Sequence, residues 1–331
     1  DRTAFVAGIG SDVMGKKFTI GVLIGNVHTA HPKDLMRGIR AAASGMDVNV
    51  IYFLGTQSVR FNQKFALEDF DYQYNTVYDY AKLAKVDVLI IAYGSLCIFQ
   101  KNEDKQAFLD KFAGIPYVLL EDATDDPRGI YVMVDNFGGM QKCVEHLIIE
   151  HHLKHLVYLG GPEDNQDAIE RKAAFLNVMA EHHLPVTPEM MAVGDYSEFV
   201  DNLVEQLLKD NPDAEAIISA NDEMTVACYR VCKAHGLRIG KDILITGFDD
   251  VERARYSNPP LTTVSQDAYK MGQIAVEKAV DICAGRPVES VRLDAELIIR
   301  ESCGCKVTRR AKEKADEKTE LLHIIDELRL F

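Results

Sequence analysis

The sequence predicts an α/β fold made of two Rossmann-like lobes, each with a doubly wound parallel sheet, and three observations lead to it. Apolar strand segments alternate with segments of helical periodicity from Phe18 onward, which is the pattern of parallel sheets flanked by helices. This alternation occurs twice, before and after the loop TDDPRG. The 331 residues also exceed what one hydrophobic core usually serves, so two lobes are expected.

The first lobe begins with the strand FTIGVLI, and the segment that follows it, KDLMRGIRAAASG, has apolar residues at helical spacing. The same alternation then continues to the end of the lobe. Its remaining elements are a strand VNVIYFL, a long helix ending near Leu83, a strand VDVLIIAY, a helix at about Asp104 to Phe112 and a strand PYVLLE.

The second lobe repeats this plan and is expected to begin at the strand YVMVD. Its helices are predicted in FGGMQKCVEHLIIEHH, DAIERKAAFLNVMAEHH, FVDNLVEQLLKD and DEMTVACYRVCKAHG. The strands between them are predicted in HLVYLGG, MAVGD, AEAIISA and ILITGF.

A return to the first lobe is expected after Thr262. Pro259 and Pro260, followed by LTTV, are typical of a chain that crosses between lobes, and a helix AYKMGQIAVEKAVDICAG and closing strands in VRLDAELIIRESC come next. Three crossings would form a hinge. The predicted domains are an N-terminal arm at residues 1–17, an N-terminal lobe at 18–125 and 264–305, a C-terminal lobe at 126–263, and a C-terminal helix at 306–331.

The segment after Cys305 is charged and keeps an approximate three-four spacing, which predicts a helix able to pair in a coiled coil. Two interpretations stay open. It is either the first part of a longer signalling helix that leads to a C-terminal output domain, or a C-terminal helix that docks on the two lobes. The residues with this spacing are Ala311, Ala315, Lys318, Leu322, Ile325 and Leu328.

Composition narrows the class of protein. The formal charge of −14 opposes attraction to nucleic acids or anionic lipids, and no apolar run approaches the roughly 20 residues that span a bilayer. DNA contact and a membrane anchor are therefore not expected of this chain. Seven cysteines, an odd number, are typical of reduced cytoplasmic thiols, so a cytoplasmic location is expected. A removed signal sequence stays open, because the chain starts at Asp1.

None of the histidine or cysteine pairs has the spacing of a zinc-binding pair together with a second such pair that would complete the four ligands. Cys303 and Cys305 are separated by one residue rather than two or more, and the double histidines end helices, where a partly protonated imidazole suits the helix dipole. No metal and no cofactor is therefore expected. The pairs considered are Cys303 with Cys305, His28 with His31, His151 with His152, and His182 with His183.

Motifs of common enzymes are not found either: no GxSxG elbow, Walker loop or complete GxGxxG follows a strand. The adjacent acids Asp249 and Asp250 could serve as the carboxylate pair of a glycosidase. Neighbouring residues in a strand-end loop usually point in different directions, however, so a catalytic pair within one dipeptide is not expected. The sequence therefore favours a protein that is not an enzyme.

The segment from Asp242 to Gln266 is the most informative, because the strand ILITGF delivers Asp249 and Asp250 to its C-terminal end, where open α/β sheets bind ligands. The segment resembles the effector-binding core of lac- and purine-repressor-type regulators, and the resemblance extends from about Phe18 to about Cys305. It implies the type I periplasmic binding protein fold, in which hinge closure around a small molecule is the switching motion.

The resemblance also implies a ligand site in the cleft between the lobes. A guanidinium, a carboxylate and two amides from the matching positions could satisfy the hydroxyl groups of a sugar or polyol. Aromatic, imidazole and hydroxyl groups would complete the walls. The implied residues are Arg171, Asn221, Asp249 and Gln266, with His31, Tyr93, Ser95 and Tyr196 around them.

Simpler roles remain open for four of these residues, and one of them, His31, could be a solvent-exposed loop histidine. Arg171 could be a solvated helix residue. The role of Asn221 and of Asp249 could be limited to capping the helices that follow them. The purine-binding relatives have an Arg and a Thr where this chain has Asn165 and Asp167, so a neutral or amino-bearing polyol is preferred over a purine.

The expected function is a small-molecule sensor of a cytoplasmic signalling or transcriptional protein, acting as a homodimer. The residues before Phe18 are too few for the helix-turn-helix headpiece of the repressors. The chain instead resembles sensor modules that precede C-terminal output domains, so ligand closure would reposition the helix after Cys305. An extracytoplasmic sugar-binding receptor of a transport system and a ligand-free scaffold are the alternatives.

Overall fold

The computed structural model describes residues 17–27, 29–56, 71–97 and 102–306. They form two compact units, each discontinuous in sequence. The first unit comprises the described parts of Asp1–Met140, Gly161–Ala174 and Gln266–Ala295, and the second those of Gln141–Gly160, Phe175–Ser265 and Glu296–Phe331.

Twelve strands are found in the described residues. They are short and largely buried, as in sheets covered by helices. In chain order they are β1 (Phe18–Gly25), β2 (Val48–Gly55), β3 (Val88–Ile91), β4 (Tyr117–Leu120), β5 (Gly129–Val134), β6 (Leu156–Gly160), β7 (Met191–Val193), β8 (Ala216–Ser219), β9 (Leu244–Thr246), β10 (Thr263–Ser265), β11 (Val291–Leu293) and β12 (Glu296–Ile298).

Ten α-helices alternate with these strands over the described ranges. Shorter 3-10 turns lie at Asp71–Asp79, Pro188–Met190 and Glu301–Cys303. The α-helices are α1 (Ala30–Ser44), α2 (Tyr80–Leu83), α3 (Tyr93–Leu96), α4 (Asn102–Asp110), α5 (Asn136–Ile149), α6 (Gln166–Glu181), α7 (Asp201–Asp210), α8 (Asp222–Ala234), α9 (Glu252–Tyr256) and α10 (Ala268–Cys283).

The first unit is built on six strands in the order β11-β5-β4-β3-β1-β2, with every pair parallel. Its central strands are apolar on both faces because successive side chains of a strand point to opposite sides. In β1, Val22 belongs to the core cluster of one face and Leu23 to that of the other. Ile90 and Ile91 in β3 divide in the same way, so the sheet is doubly wound, as predicted.

The second unit has a parallel sheet of four strands in the order β7-β6-β8-β9. Every residue of β6 and β8 is buried, and the rings of Tyr158 and Phe175 stack at 4.9 Å between centroids. A separate antiparallel pair, β10 with β12, lies in the same unit. The predicted α/β class with a parallel sheet in each unit is therefore confirmed.

The units differ from the predicted lobes at three boundaries. Strand β5, expected to open the second lobe at YVMVD, pairs with β4 and β11 in the six-stranded sheet. Residues 161–174 are grouped with the first unit, and residues from Glu296 onward with the second, because β12 pairs with β10. A strand pattern predicts the element but not the sheet that it joins.

Helices α1 and α10, from distant parts of the sequence, cover one face of the six-stranded sheet through Leu35, Ile39, Met271 and Ala275. Their backbones approach so closely that both contact faces carry a glycine. A Cβ atom at Gly272 would lie 2.4 Å from the carbonyl oxygen of Leu35. Only residues without a side chain allow this approach.

Several expectations fall outside the described residues. These are the arm up to residue 16, the C-terminal helix from residue 307 onward with its coiled-coil spacing, and His28. In the ranges that are described, the helices are all too short or too polar to cross a membrane.

We expect Gly272→Ala to lower the free energy of unfolding by about 1–3 kcal/mol, because the added methyl group overlaps the backbone of α1. Gly45→Ala is the matched control, since Gly45 has φ −88° and a Cβ there would meet nothing closer than 3.5 Å. Urea unfolding of the two variants tests the close approach, and equal midpoints would contradict it.

Candidate ligand-binding site

Three predicted residues of the first unit follow neighbouring parallel strands. His31 lies in α1 after β1, and Tyr93 and Ser95 lie in α3 after β3. Glu121 directly follows β4, the next strand of the sheet. Because parallel strands end at the same edge, these side chains are brought to one place.

Glu121 joins two of these residues. Its Oε1 lies 2.5 Å from His31 Nε2, and its Oε2 accepts a hydrogen bond from the Ser95 backbone N–H at 2.8 Å and another from the Ser95 hydroxyl. Burial raises the pKa of Glu121, but the His31 charge and the hydrogen bonds from His31 and Ser95 outweigh it and hold the pKa below its ordinary value. His31 keeps 21% of its side chain exposed, so part of the imidazole faces outward.

Tyr93 is only 4% exposed and belongs to the core cluster on its side of the sheet. The Lys105 amine lies 6.0 Å from its ring centroid and donates to Asp122 Oδ2 at 2.7 Å in a buried ion pair. Burial raises the pKa of the Tyr93 hydroxyl. The ring therefore packs chiefly against the protein.

Arg171 is 2% exposed, so it is not the solvated helix residue that the sequence left open. Its Nε donates to Asn136 Oδ1 at 2.8 Å, and its guanidinium forms an ion pair with Asp167 at 3.6 Å. Asn136 in turn donates to Asp167 Oδ1 at 2.7 Å. The three side chains form one network that fixes the plane of the guanidinium within the first unit.

Asn165 and Glu170, which lie close to Arg171 in sequence, have definite roles. Asn165 caps α6, because its Oδ1 accepts a hydrogen bond from the Ala168 N–H at 2.9 Å. Gln266 is buried and directly follows β10. Glu170, beside Arg171 in sequence, pairs with Arg292 at 2.8 Å and leaves Arg171 to Asp167.

In the second unit, Asn221 caps α8, as its simpler interpretation required. Its Oδ1 accepts from the Met224 N–H at 3.0 Å, and its Nδ2 donates to the Tyr196 carbonyl at 3.1 Å. Tyr196 has φ +66°, a left-handed backbone conformation that residues other than glycine seldom adopt. Asn221 therefore holds the loop that carries Tyr196, and these two predicted residues are brought together.

Asp249 and Asp250, both with positive φ, have different surroundings. Asp250 is held by Arg300 at 2.5 Å and Arg255 at 3.4 Å, and only 9% of its side chain is exposed. Asp249, with φ +121°, is half-buried and donates its backbone N–H to the Val264 carbonyl at 2.7 Å. The two carboxylates therefore have different surroundings.

Asp222, the first residue of α8, is a buried acid that the sequence analysis did not select. Its Oδ1 accepts from the Thr263 hydroxyl at 2.6 Å, and its Oδ2 accepts from the Val251 N–H at 3.0 Å. Burial, followed by the nearby Asp249 carboxylate, raises the pKa of Asp222 well above its ordinary value. Asp222 therefore links the loop after β9 to β10.

Four of the polar residues described above were not predicted from the sequence: Glu121, Asp122, Asn136 and Asp222. A sequence pattern that could have selected them was present for three of the four. Glu121 and Asp122 directly follow β4, and Asn136 lies two residues beyond β5, which is the strand-end rule that selected Asp249.

Comparisons with known proteins agree with this architecture. Residues 144–303 match the periplasmic binding protein-like domain. The chain is 30% identical over 216 residues to the HTH-type transcriptional regulator CelR of Thermobifida fusca, which covers 62% of this chain and 62% of that protein. It is 29% identical over 198 residues to the HTH-type transcriptional repressor PurR of Aliivibrio fischeri (strain MJ11), covering 58% and 56%. The match thus spans less than two thirds of these relatives.

Solved structures with the same fold include two regulators. A transcriptional regulator CelR–cellobiose complex superposes with a TM-score of 0.72 at 23% identity and covers 87% of this chain and 85% of that one. A lac repressor dimer bound to operator and the anti-inducer ONPF also gives 0.72 at 23%, covering 88% and 83%. The fold is therefore that of the lac-repressor and periplasmic-binding-protein type, as the sequence predicted.

Asp222 makes the stability of the fold depend on pH. Its folded-state pKa lies above that of the unfolded chain, so its contribution is complete below about pH 4 and is lost as the pH rises through the raised value. We expect Asp222→Asn, which keeps an acceptor for Val251 and a donor for Thr263, to lose less stability than the native chain as the pH rises above about 4.

Urea unfolding at several pH values measures this effect. The exposed Asp210→Asn is the control and should follow the native profile. Parallel profiles for the native chain and Asp222→Asn would show that the buried carboxyl does not titrate in this range.

Proposed function

We propose that this chain is the effector-binding sensor of a cytoplasmic regulatory protein and that its effector is a neutral or amino-bearing polyhydroxylated molecule, a sugar or polyol. The observation that carries the proposal is the backbone conformation of Asp249, a non-glycine residue held at φ +121° in the loop that follows the buried strand β9. Backbone strain of this kind costs on the order of 1–3 kcal/mol and concentrates at functional sites.

The chemistry of the other residues supports a hydroxyl-rich ligand. A carboxylate such as Asp249 accepts paired hydroxyl donors, and the guanidinium of Arg171 presents donors in a plane fixed by Asn136 and Asp167. Amides, an imidazole and a hydroxyl of the other predicted residues add donors and acceptors. Such groups reject ligands that leave them unpaired.

The charges support a ligand without negative charge. Arg171 is matched by Asp167, and His31 is matched by Glu121. Asp249 adds an acidic group in the second unit. A phosphate or carboxylate ligand would need positive charge that these sets do not supply.

The mechanism follows the family resemblance. We propose that ligand contacts residues of both lobes, closes the hinge and repositions the helix predicted at residues 306–331, and that the chain works as a homodimer with an output domain beyond that helix. Relatives that are regulators, a CelR structure with cellobiose and a lac repressor dimer support this proposal over a transport receptor or an enzyme.

A thermal-shift screen of sugars, polyols, nucleosides and amino acids tests the ligand class. A ligand at about 100 times its Kd stabilises the native state by about 2.7 kcal/mol, which is roughly 5–10 °C in Tm for units of this size. Asp249→Gly should remove the shift for the selective ligand. Glycine suits the positive φ, so the variant loses the carboxylate while it keeps the fold.

The control is Asp213→Gly, at an exposed acid of the same unit, which should keep the full shift. A selective ligand that stabilises Asp249→Gly as strongly as the native chain would contradict the assigned role of Asp249.

Arg171 requires a paired change, because Arg171→Ala alone would leave the Asp167 carboxylate without its guanidinium. We expect the double variant Arg171→Ala and Asp167→Ala to lose the ligand shift, whereas the exposed pair of Arg238 and Asp242, replaced in the same way, should not affect it. A retained shift in the first double variant would exclude Arg171 from the site.

A further inference from the structure

A cluster of two histidines and two cysteines lies in the second unit, separate from the residues assigned to the ligand. It consists of His146, His151, Cys303 and Cys305, and one nitrogen or sulfur atom from each lies within 4.8 Å of all the others. The cysteines are free thiols, Cys303 fully buried and Cys305 half-buried.

The three distances among the ligand atoms of His146, His151 and Cys305 match a tetrahedron around one ion, and Cys303 Sγ lies within 4.8 Å of all three. With Zn–S near 2.3 Å and Zn–N near 2.05 Å, tetrahedral angles place two nitrogens about 3.3 Å apart and a nitrogen and a sulfur about 3.6 Å apart. The two Nε2 atoms lie 3.3 Å apart, and Cys305 Sγ lies 3.7 Å from His146 Nε2 and 3.4 Å from His151 Nε2.

Local structure explains how a short cysteine spacing can supply two ligands. Cys303 ends the 3-10 turn at Glu301–Cys303, and Gly304 follows with φ +86°. This left-handed glycine reverses the chain between the two cysteines, so both sulfurs come to the same side. A Cβ at Gly304 would also lie 3.2 Å from the Gly240 carbonyl oxygen, so a larger residue fits poorly.

The histidines come from the end of α5. His146 lies in its last turn and His151 just beyond it, with four residues between them. This is the His spacing of structural zinc sites. The sequence did not predict this metal site, because the adjacent His151 and His152 form the obvious pair and because one residue between two cysteines is fewer than zinc sites usually have.

We propose that His146, His151, Cys303 and Cys305 bind one Zn²⁺ ion in a closed, structural site. Two thiolates and two neutral imidazoles balance the charge of the ion, and this mixed sulfur and nitrogen set in a tetrahedron favours zinc. Four protein ligands leave no position for a substrate, so the ion ties the segment around Cys305 to the end of α5. The site is independent of the proposed effector.

Metal binding by the purified full chain tests the site. The chain is stripped with a chelator under reducing conditions and then titrated with Zn²⁺ in competition with a chromophoric chelator, and Co²⁺ is substituted to report tetrahedral sulfur coordination by its visible absorption. We expect one equivalent to bind, with the absorption of a mixed thiolate and imidazole site and a higher Tm than the metal-free chain has.

Variants at the half-buried ligands locate the ion. Cys305→Ser and His151→Gln should each weaken Zn²⁺ binding more than about 100-fold. Mutation of residues that only hydrogen-bond to metal ligands already lowers metal affinity about 10- to 100-fold, and these two residues are ligands themselves. The controls are Cys283→Ser, a cysteine outside the cluster, and His152→Asn, which suits the φ of +58° at that position. Both should bind as the native chain does.

Two results would overturn the proposal. One is a native chain that binds Zn²⁺ no more tightly than Cys305→Ser, including a chain in which Cys303 and Cys305 form a disulfide that resists reduction. The other is tight binding that both ligand variants retain, which would place the ion elsewhere.

Discussion

The parallel alignment of the strands is the constraint on which the candidate site depends. Strands β1, β3 and β4 are neighbours in one sheet and end at one edge, so the residues that follow them must lie near one another. The strands are apolar on both faces and can be buried completely, whereas the polar groups come only where each strand stops. Position along the strand therefore separates residues that stabilise the sheet from residues that can contact a ligand.

Charge matching is the second feature of these strand ends. Buried charges are costly unless they are paired, and Lys105 with Asp122, Arg171 with Asp167 and Arg300 with Asp250 satisfy this condition. Asp222 differs from these ion pairs. Its neighbours are hydrogen-bond donors and another acid, so burial favours its protonated form. The pairs also orient the groups that they neutralise, as Asn136 and Asp167 do for Arg171.

Local patterns predicted most of the fold, because period-two and helical spacings are properties of short segments. They could not assign β5 to its sheet, since its pairing with β4 and β11 depends on residues far away in sequence. For the site, the family resemblance selected Arg171, Asn221 and Tyr196. It did not select Asn136, the partner of Arg171, and it did not predict that Asn221 contacts Tyr196. Cys305 and His146 lie about half the chain apart, so only the folded backbone brings them together.

The packing of α1 on α10 also determines the order in which the protein can be built. Residues of α1 leave the ribosome well before those of α10, which begins at Ala268. Until α10 is synthesised, the apolar face of the six-stranded sheet that it covers, including Ile20 and Ile90, stays open to solvent or to other chains. The first unit therefore completes its core only after α10 has been synthesised, and a nascent chain halted before α10 exposes a surface prone to aggregation.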